Sequence, residues 1–162
     1  MIQRTLVLIK PDGVARSLTG ECLQRLEKVG LKLIGIKMIQ ATRDLLDKHY
    51  YDVGERRGEH VKTRLVQYMS EGPVVAMVFE GVEAIDIVRK MAGTTDPKTS
   101  PPGTIRGDFT HLTMAYADAQ DVPLRNIIHA SGKPEEAEQE IKLWFKENEL
   151  CEYKTIHESF FR

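Results

Sequence analysis

Apolar residues along the chain follow two repeats: short runs with the period of a strand, and longer stretches spaced three and four apart as on a helix. Residues 5–9 (TLVLI) form an apolar strand that runs into the turn Lys10-Pro11-Asp12-Gly13. Thr19 can cap a helix carrying Leu23, Leu26 and Val29, which Gly30 closes. Residues 31–41 predict a longer strand whose alternation slips at Leu33-Ile34, the mark of a bulge or of burial on both faces. Thr42 opens a helix that sets Leu45 with His49 and Leu46 with Tyr50 one turn apart. Residues 54–60 are polar and charged and predict a loop, before a short helix on Val61, Leu65, Tyr68 and Met69 that stops at Gly72-Pro73.

Residues 74–79 are the clearest buried strand, and Val82, Ile85, Val88 and Ala92 mark an amphipathic helix ended by Gly93. Three prolines and two glycines make residues 94–107 a long loop of the kind that usually carries function. Residues 109–116 can form a strand and residues 117–123 a loop. Residues 126–129 form a short strand, and Pro134 starts a last helix on Ala137, Ile141 and Trp144. The tail, residues 148–162, has no clear period. The order β-α-β-(αα)-β-α-β-α predicts an α+β fold of ferredoxin-like βαββαβ type, a four-stranded antiparallel sheet with helices on one face. With no repeat or linker visible, residues 1–162 are expected to form one domain.

Composition narrows the function classes. At 162 residues, 41% hydrophobic and 29% charged, the chain can enclose a core without disulfide or metal staples. A net charge of −1 lacks the basic excess of a dedicated duplex-DNA binder, and few aromatics accompany it as a single-strand platform would require. Cys22 and Cys151 stand far apart, which fits two small apolar residues in a reducing cytosol better than a zinc or dithiol site. No signal peptide or membrane-spanning run is visible, so a soluble, cytoplasmic protein is expected.

Among candidate reactive groups, His129 stands at the end of a buried strand, a place that holds a ring rigidly while leaving one nitrogen open. Neutral imidazole is a competent nucleophile near neutral pH. A lone histidine is ordinarily a hydrogen-bonded core residue, and the helix that follows changes that balance. Ala137, Glu140, Ile141 and Trp144 share one face, so Glu140 lies on or beside the buried stripe and needs a partner. If the helix packs back over the strand, the far nitrogen of His129 supplies it; otherwise Glu140 snorkels to solvent. No GxxxxGK[ST] loop or kinase-type glycine loop is present. The cations and donors available for phosphate are dispersed: Lys10 at a strand end, Arg89 on a helix, Thr95 and Arg106 in the long loop.

Four segments in order, TLVLIKPDG at 5–13, GPVVAM at 72–77, PGTIRGDF at 102–109 and NIIHAS at 126–131, resemble the nucleoside diphosphate kinase family, and the similarity runs from about residue 4 to about residue 153. That resemblance implies that His129 is phosphorylated and dephosphorylated in turn, held by Glu140 with Ser131 supporting the carboxylate. It places Lys10 and Asn126 on the nucleotide sugar, Lys10 also near phosphate oxygens, and Tyr50 close to the transferring phosphate. Arg89, Thr95 and Arg106 take the phosphate chain. Mg²⁺ is expected to arrive on the nucleotide with no protein carboxylate cage. Nucleoside tri- and diphosphates are the implied substrates, exchanged by a ping-pong reaction, and a homo-oligomer of ferredoxin-like subunits is implied.

Two segments depart from the pattern. Residues 53–64 are longer than usual and lack the aromatic residue that stacks on the base; counting back from Leu65 puts Val61 there. Residues 110–124 are also longer, and they are expected to lengthen a hairpin, cover the site or form a subunit contact. Ala130 replaces a usual glycine, and Gly132 stands where an acidic residue is common. The alternative function is a nucleotide-binding regulatory module with little turnover, against which the intact set of phosphate-handling residues speaks.

Overall fold

Alternation in strand β1 (Ile2–Ile9) sends Leu6 and Leu8 to one side of a sheet and Val7 and Ile9 to the other, and all four are fully buried. Strand β3 (Val74–Val82) does the same with Ala76 and Val78 against Val75, Met77 and Phe79. Such strands have no solvent face, so both sides of the sheet must be covered. The computed structural model describes residues 1–161; Arg162, the last residue of the aperiodic tail, lies outside them. Strands β1, β2 (Lys32–Ile39), β3 and β4 (Ile128–Ala130) form one antiparallel sheet in the order β2-β3-β1-β4. This is the expected ferredoxin-like arrangement.

Ten α-helices accompany the strands among the described residues: α1 (Pro11–Ala15), α2 (Thr19–Lys28), α3 (Arg43–His49), α4 (Val53–Arg57), α5 (Glu59–Ser70), α6 (Ala84–Ala92), α7 (Ile105–Phe109), α8 (Met114–Ala119), α9 (Pro134–Trp144) and α10 (Glu158–Phe161). They do not lie on one face as expected. Cys22, Leu26, Ala84 and Val88 of α2 and α6 pack with Val7, Ile9 and Met77. Leu46, Val66, Ile141 and Trp144 of α3, α5 and α9 pack with Leu6, Leu8 and Ala76 on the opposite side. The doubly apolar central strands require this, and hydrophobic burial on each face holds the layers together.

Several local expectations change. The turn after β1 winds into α1, with Pro11 at its first position, and Leu18 rather than Thr19 holds the cap position of α2. Residues 54–60 are helical except at Gly58, whose φ of +97° separates α4 from α5. Residues 109–116 form no strand: Thr113 accepts from the Tyr116 N–H and caps α8, a local bond that outcompetes extended pairing. The long loop contains a 3₁₀ turn (Pro97–Thr99) and α7, capped by Thr104. Thr42 caps α3 as expected, and the β2–β3 register shifts between Leu33 and Gly35, where the alternation slipped. Among the described residues no helix is long and apolar enough to cross a membrane.

Candidate active site

Strand β4 starts two residues later than the apolar run because Ile127 has a φ of +70°, uncommon for any L residue and a true outlier for a β-branched one. The Ile128 N–H donates to the Asn126 carbonyl at 2.7 Å across it, closing a three-residue turn. Asp12 of α1 pins this turn by accepting from the Ile127 N–H at 3.2 Å, and Tyr68 of α5 donates its hydroxyl to the same carboxylate. The Lys10 N–H donates to the Ile127 carbonyl at 2.7 Å. With the turn fixed, β4 pairs His129 with Leu8 and projects the ring to the α3/α9 side, while Ile128 and Ala130 enter the other core.

There Glu140 of α9 meets it. Nε2 of His129 lies 2.9 Å from Oε1 and 3.0 Å from Oε2 of Glu140, so Nε2 carries the proton and Nδ1 keeps its lone pair. Ser131 donates to Oε2 at 2.6 Å and accepts from the Leu6 N–H at 3.2 Å, tying the carboxylate to β1. Burial alone would raise the Glu140 pKa. His129, His49 and Ser131 outweigh it, and the carboxyl ends below its usual range.

His49, Glu140 and His129 are close enough to raise the question of a metal. The indole N–H of Trp144, however, donates to Nδ1 of His49 at 3.2 Å, and Glu140 is committed to His129 and Ser131. With these donors already pointed inward, the cluster is a hydrogen-bond network. Burial and then the neighbouring His129 lower the pKa of His49 to about 3, so it packs as a neutral ring edge-on to His129, with centroids 4.7 Å apart.

A cleft of about 200 Å³ opens beside His129, lined by every predicted phosphate-handling group: Lys10, Tyr50, Arg89, Thr95, Arg106 and Asn126. Lys10 donates to Oδ1 of Asn126 at 2.7 Å, and Asn126 donates to the Thr95 carbonyl at 2.8 Å. Arg106 is held on the carbonyls of Gly93 and Ile128, each at 2.7 Å, leaving its buried Nε without a partner. Gly93 has a φ of +86°, and a Cβ there would meet Ser100 and Thr104 oxygens at 2.8 Å, so the residue that turns α6 toward Arg106 must be glycine. Desolvation and the adjacent Arg106 bring Lys10 down to about 7; burial and Arg89 bring Arg106 down to about 10. Burial pushes the Tyr50 phenol up, and its hydroxyl has no partner either. Buried donors left unpaired around clustered cations describe a site built for a polyanion. Larger grooves, among them those of about 560 and 680 Å³, lie elsewhere and include none of these groups.

Val61 packs partly buried against the core and does not line the cleft; Arg57, Leu65 and Leu124 do. The two longer segments meet there. Arg57 reaches Sδ of Met114 at 3.6 Å, and Arg64 contacts the Val122 carbonyl at 3.4 Å and the Asp118 and Asp121 carboxylates at 3.6 and 3.0 Å. Residues 110–124 thus pack against α4 and α5, and Leu124 at their end lines the cleft. Sequence reasoning also passed over Asp12, His49 and Trp144. Asp12 sat in the quoted opening motif and His49 one residue before Tyr50, but nothing in their spacing revealed the pairing.

A proton-bearing Glu140–His129 pair facing a cationic cleft defines a histidine nucleophile poised for a phosphorylated substrate. The family model for nucleoside diphosphate kinase matches residues 3–150, and the chain belongs to that family. It is 44% identical to the nucleoside diphosphate kinase of Borreliella burgdorferi over 95% of this chain and 93% of that one. It is 49% identical to that of Pyrococcus horikoshii over 99% and 96%. The solved structure of the Borrelia burgdorferi enzyme, a transition state mimic with bound vanadate and ADP, superposes with a TM-score of 0.95 at 43% identity, covering 98% of this chain and 96% of that one.

Proposed function

We propose that the chain is a nucleoside diphosphate kinase that carries the terminal phosphoryl group from a nucleoside triphosphate to a nucleoside diphosphate on Nδ1 of His129. The observation that carries this is the His129–Glu140–Ser131 chain, which engages Nε2 and sets His129 in the wall of the cationic cleft. Nδ1 attacks the terminal phosphorus, a P–N bond forms, and the P–O bond to the leaving diphosphate breaks. Glu140 orients the ring and stabilises its positive charge. A second diphosphate then attacks through a terminal oxygen, and the histidine is regenerated.

Arg89, Arg106 and Thr95 hold the phosphates, Lys10 and Asn126 the sugar and nearby oxygens, and Tyr50 donates its unpartnered hydroxyl to the group in flight. The cleft residues suit Mg²⁺ carried on phosphate oxygens: cations dominate, and the one carboxylate lining it, Glu136, accepts from the Gly132 N–H. The ion supplies charge neutralisation. Unpaired Cys22 and Cys151 support a cytoplasmic location, and apolar Ile36 and Met38, 50% and 60% exposed on edge strand β2, support a homo-oligomer.

Incubation with labelled nucleoside triphosphate alone is expected to leave an acid-labile, alkali-stable phosphate that His129→Ala abolishes. Full labelling of that variant, or none of the parent chain, refutes the mechanism. A mass measurement in solution tests the assembly.

A further inference from the structure

We propose that Arg57 is the base-binding and specificity-determining residue of the cleft, its guanidinium plane stacking on the nucleobase; the inference rests on the phosphotransferase reading above. The lining divides by element. Lys10 just after β1, with residues from α6, the loop after it, α7 and β4, supplies the cations and His129, whereas α4, α5 and the 110–124 segment supply Arg57, Leu65 and Leu124. A nucleotide with its terminal phosphate at Nδ1 and its other phosphates on Arg89 and Arg106 must extend its base away from the cations, toward this second wall.

A base presents a flat π surface. Leu65 and Leu124 offer apolar contact but no plane to match it, and the Tyr50 ring is buried with its hydroxyl unpartnered. Arg57 is the exposed flat group on this second wall; Arg89, also exposed, lies on α6 among the cations. Its neighbour Arg56 is tied to Asp52 at 2.6 and 3.2 Å, but among the described residues Arg57 makes no carboxylate pair. Its Nη2 instead rests 3.6 Å from Sδ of Met114, a soft contact that steadies the tip without neutralising it. Guanidinium is planar and weakly hydrated, and it stacks readily on aromatic rings. Every base has such a face, so the contact tolerates different bases while favouring the larger purines.

The experiment uses the full chain with Arg57→Ala, Arg57→Phe and Arg57→Lys. It measures dissociation constants for a purine and a pyrimidine nucleoside diphosphate, and His129 phosphorylation by phosphoramidate, a donor with no base. Arg57→Ala is expected to weaken diphosphate binding by roughly 2- to 30-fold, the usual strength of a cation–π contact, more for the purine. Phosphoramidate labelling, which needs no base contact, should fall less than diphosphate binding does. Arg57→Phe, flat but uncharged, should restore binding, and Arg57→Lys, charged but not flat, should not. Unchanged binding in Arg57→Ala, or rescue by lysine and not by phenylalanine, overturns the proposal; the latter makes Arg57 a phosphate contact. If the parent chain takes no label from phosphoramidate or nucleoside triphosphate, the phosphohistidine reading fails instead.

Discussion

Ser131 and His129 converge on one oxygen of Glu140: Oε2 accepts from the serine hydroxyl at 2.6 Å and lies 3.0 Å from Nε2 of the histidine. The serine thus fixes the acceptor that fixes the ring. Glu140→Gln should fold and slow His129 phosphorylation by roughly one to three decades, the range for losing an orienting and electrostatic group. Ser131→Ala leaves the carboxylate charged but less constrained, and a smaller loss of about 2- to 20-fold is expected, near one charge-assisted hydrogen bond. Single-turnover labelling measures both. A larger loss in Ser131→Ala than in Glu140→Gln would mean that Ser131 acts on the reaction by some route other than Glu140.

Lys10 gives the reaction a pH limit. Buried next to Arg106 and relieved only partly by Asp12, it loses its proton near about 7 in the empty cleft. The charged form, present below that pH, is the one that attracts phosphate. Therefore kcat/KM, which reports the free enzyme, is expected to fall as pH rises through about 7. Lys10→Met should lower kcat/KM and flatten that limb. An unaltered limb in the variant would assign it to another group.

His49 sets an acid limit on stability. It is faced by His129, Glu140, Lys10, Asp52 and the Trp144 N–H, and its folded pKa of about 3 is below that of an unfolded histidine. Between those values the unfolded chain binds the extra proton, so stability falls as pH drops from about 6.5 toward 3. Thermal melts at pH 7 and pH 5 should differ less in His49→Gln than in the parent chain. An undiminished difference would place the acid sensitivity elsewhere.

Arg64 joins α5 to the 110–124 segment, and its half-buried side chain has three acceptors. Replacing it with methionine keeps the stem but releases the segment. We expect KM for nucleoside diphosphates to rise by about 2- to 10-fold, the loss of one or two moderate ionic contacts, with kcat little changed. Limited proteolysis within residues 110–124 should accelerate. If neither measurement moves, the segment is held by its other contacts, including the Met114 N–H on Asp96.

The strands were legible because their apolar runs decide their own state. Glu140 was legible as a partner because a helix places residues three and four apart on one face, and His129 chiefly because its segment resembles the family's. What sequence periodicity could not reveal depended on partners far along the chain. Helices cover both faces because β1 and β3 are apolar on both. The charged stretch at 54–60 is helical despite its polarity, and Val61 turns to the core while Arg57 takes the cleft. No local pattern encodes the pairing of Asp12 with Ile127, 115 residues away.

That last pairing has a consequence for how the protein acquires its activity. The turn at Ile127 is unfavourable by itself and needs α1, α5 and β1 already in place to hold it, through contacts that span most of the chain. Long-range contacts of this kind close late. The placement of His129 against Glu140 therefore depends on contacts between the two ends of the chain, and it cannot be assembled from the C-terminal strand and helix alone.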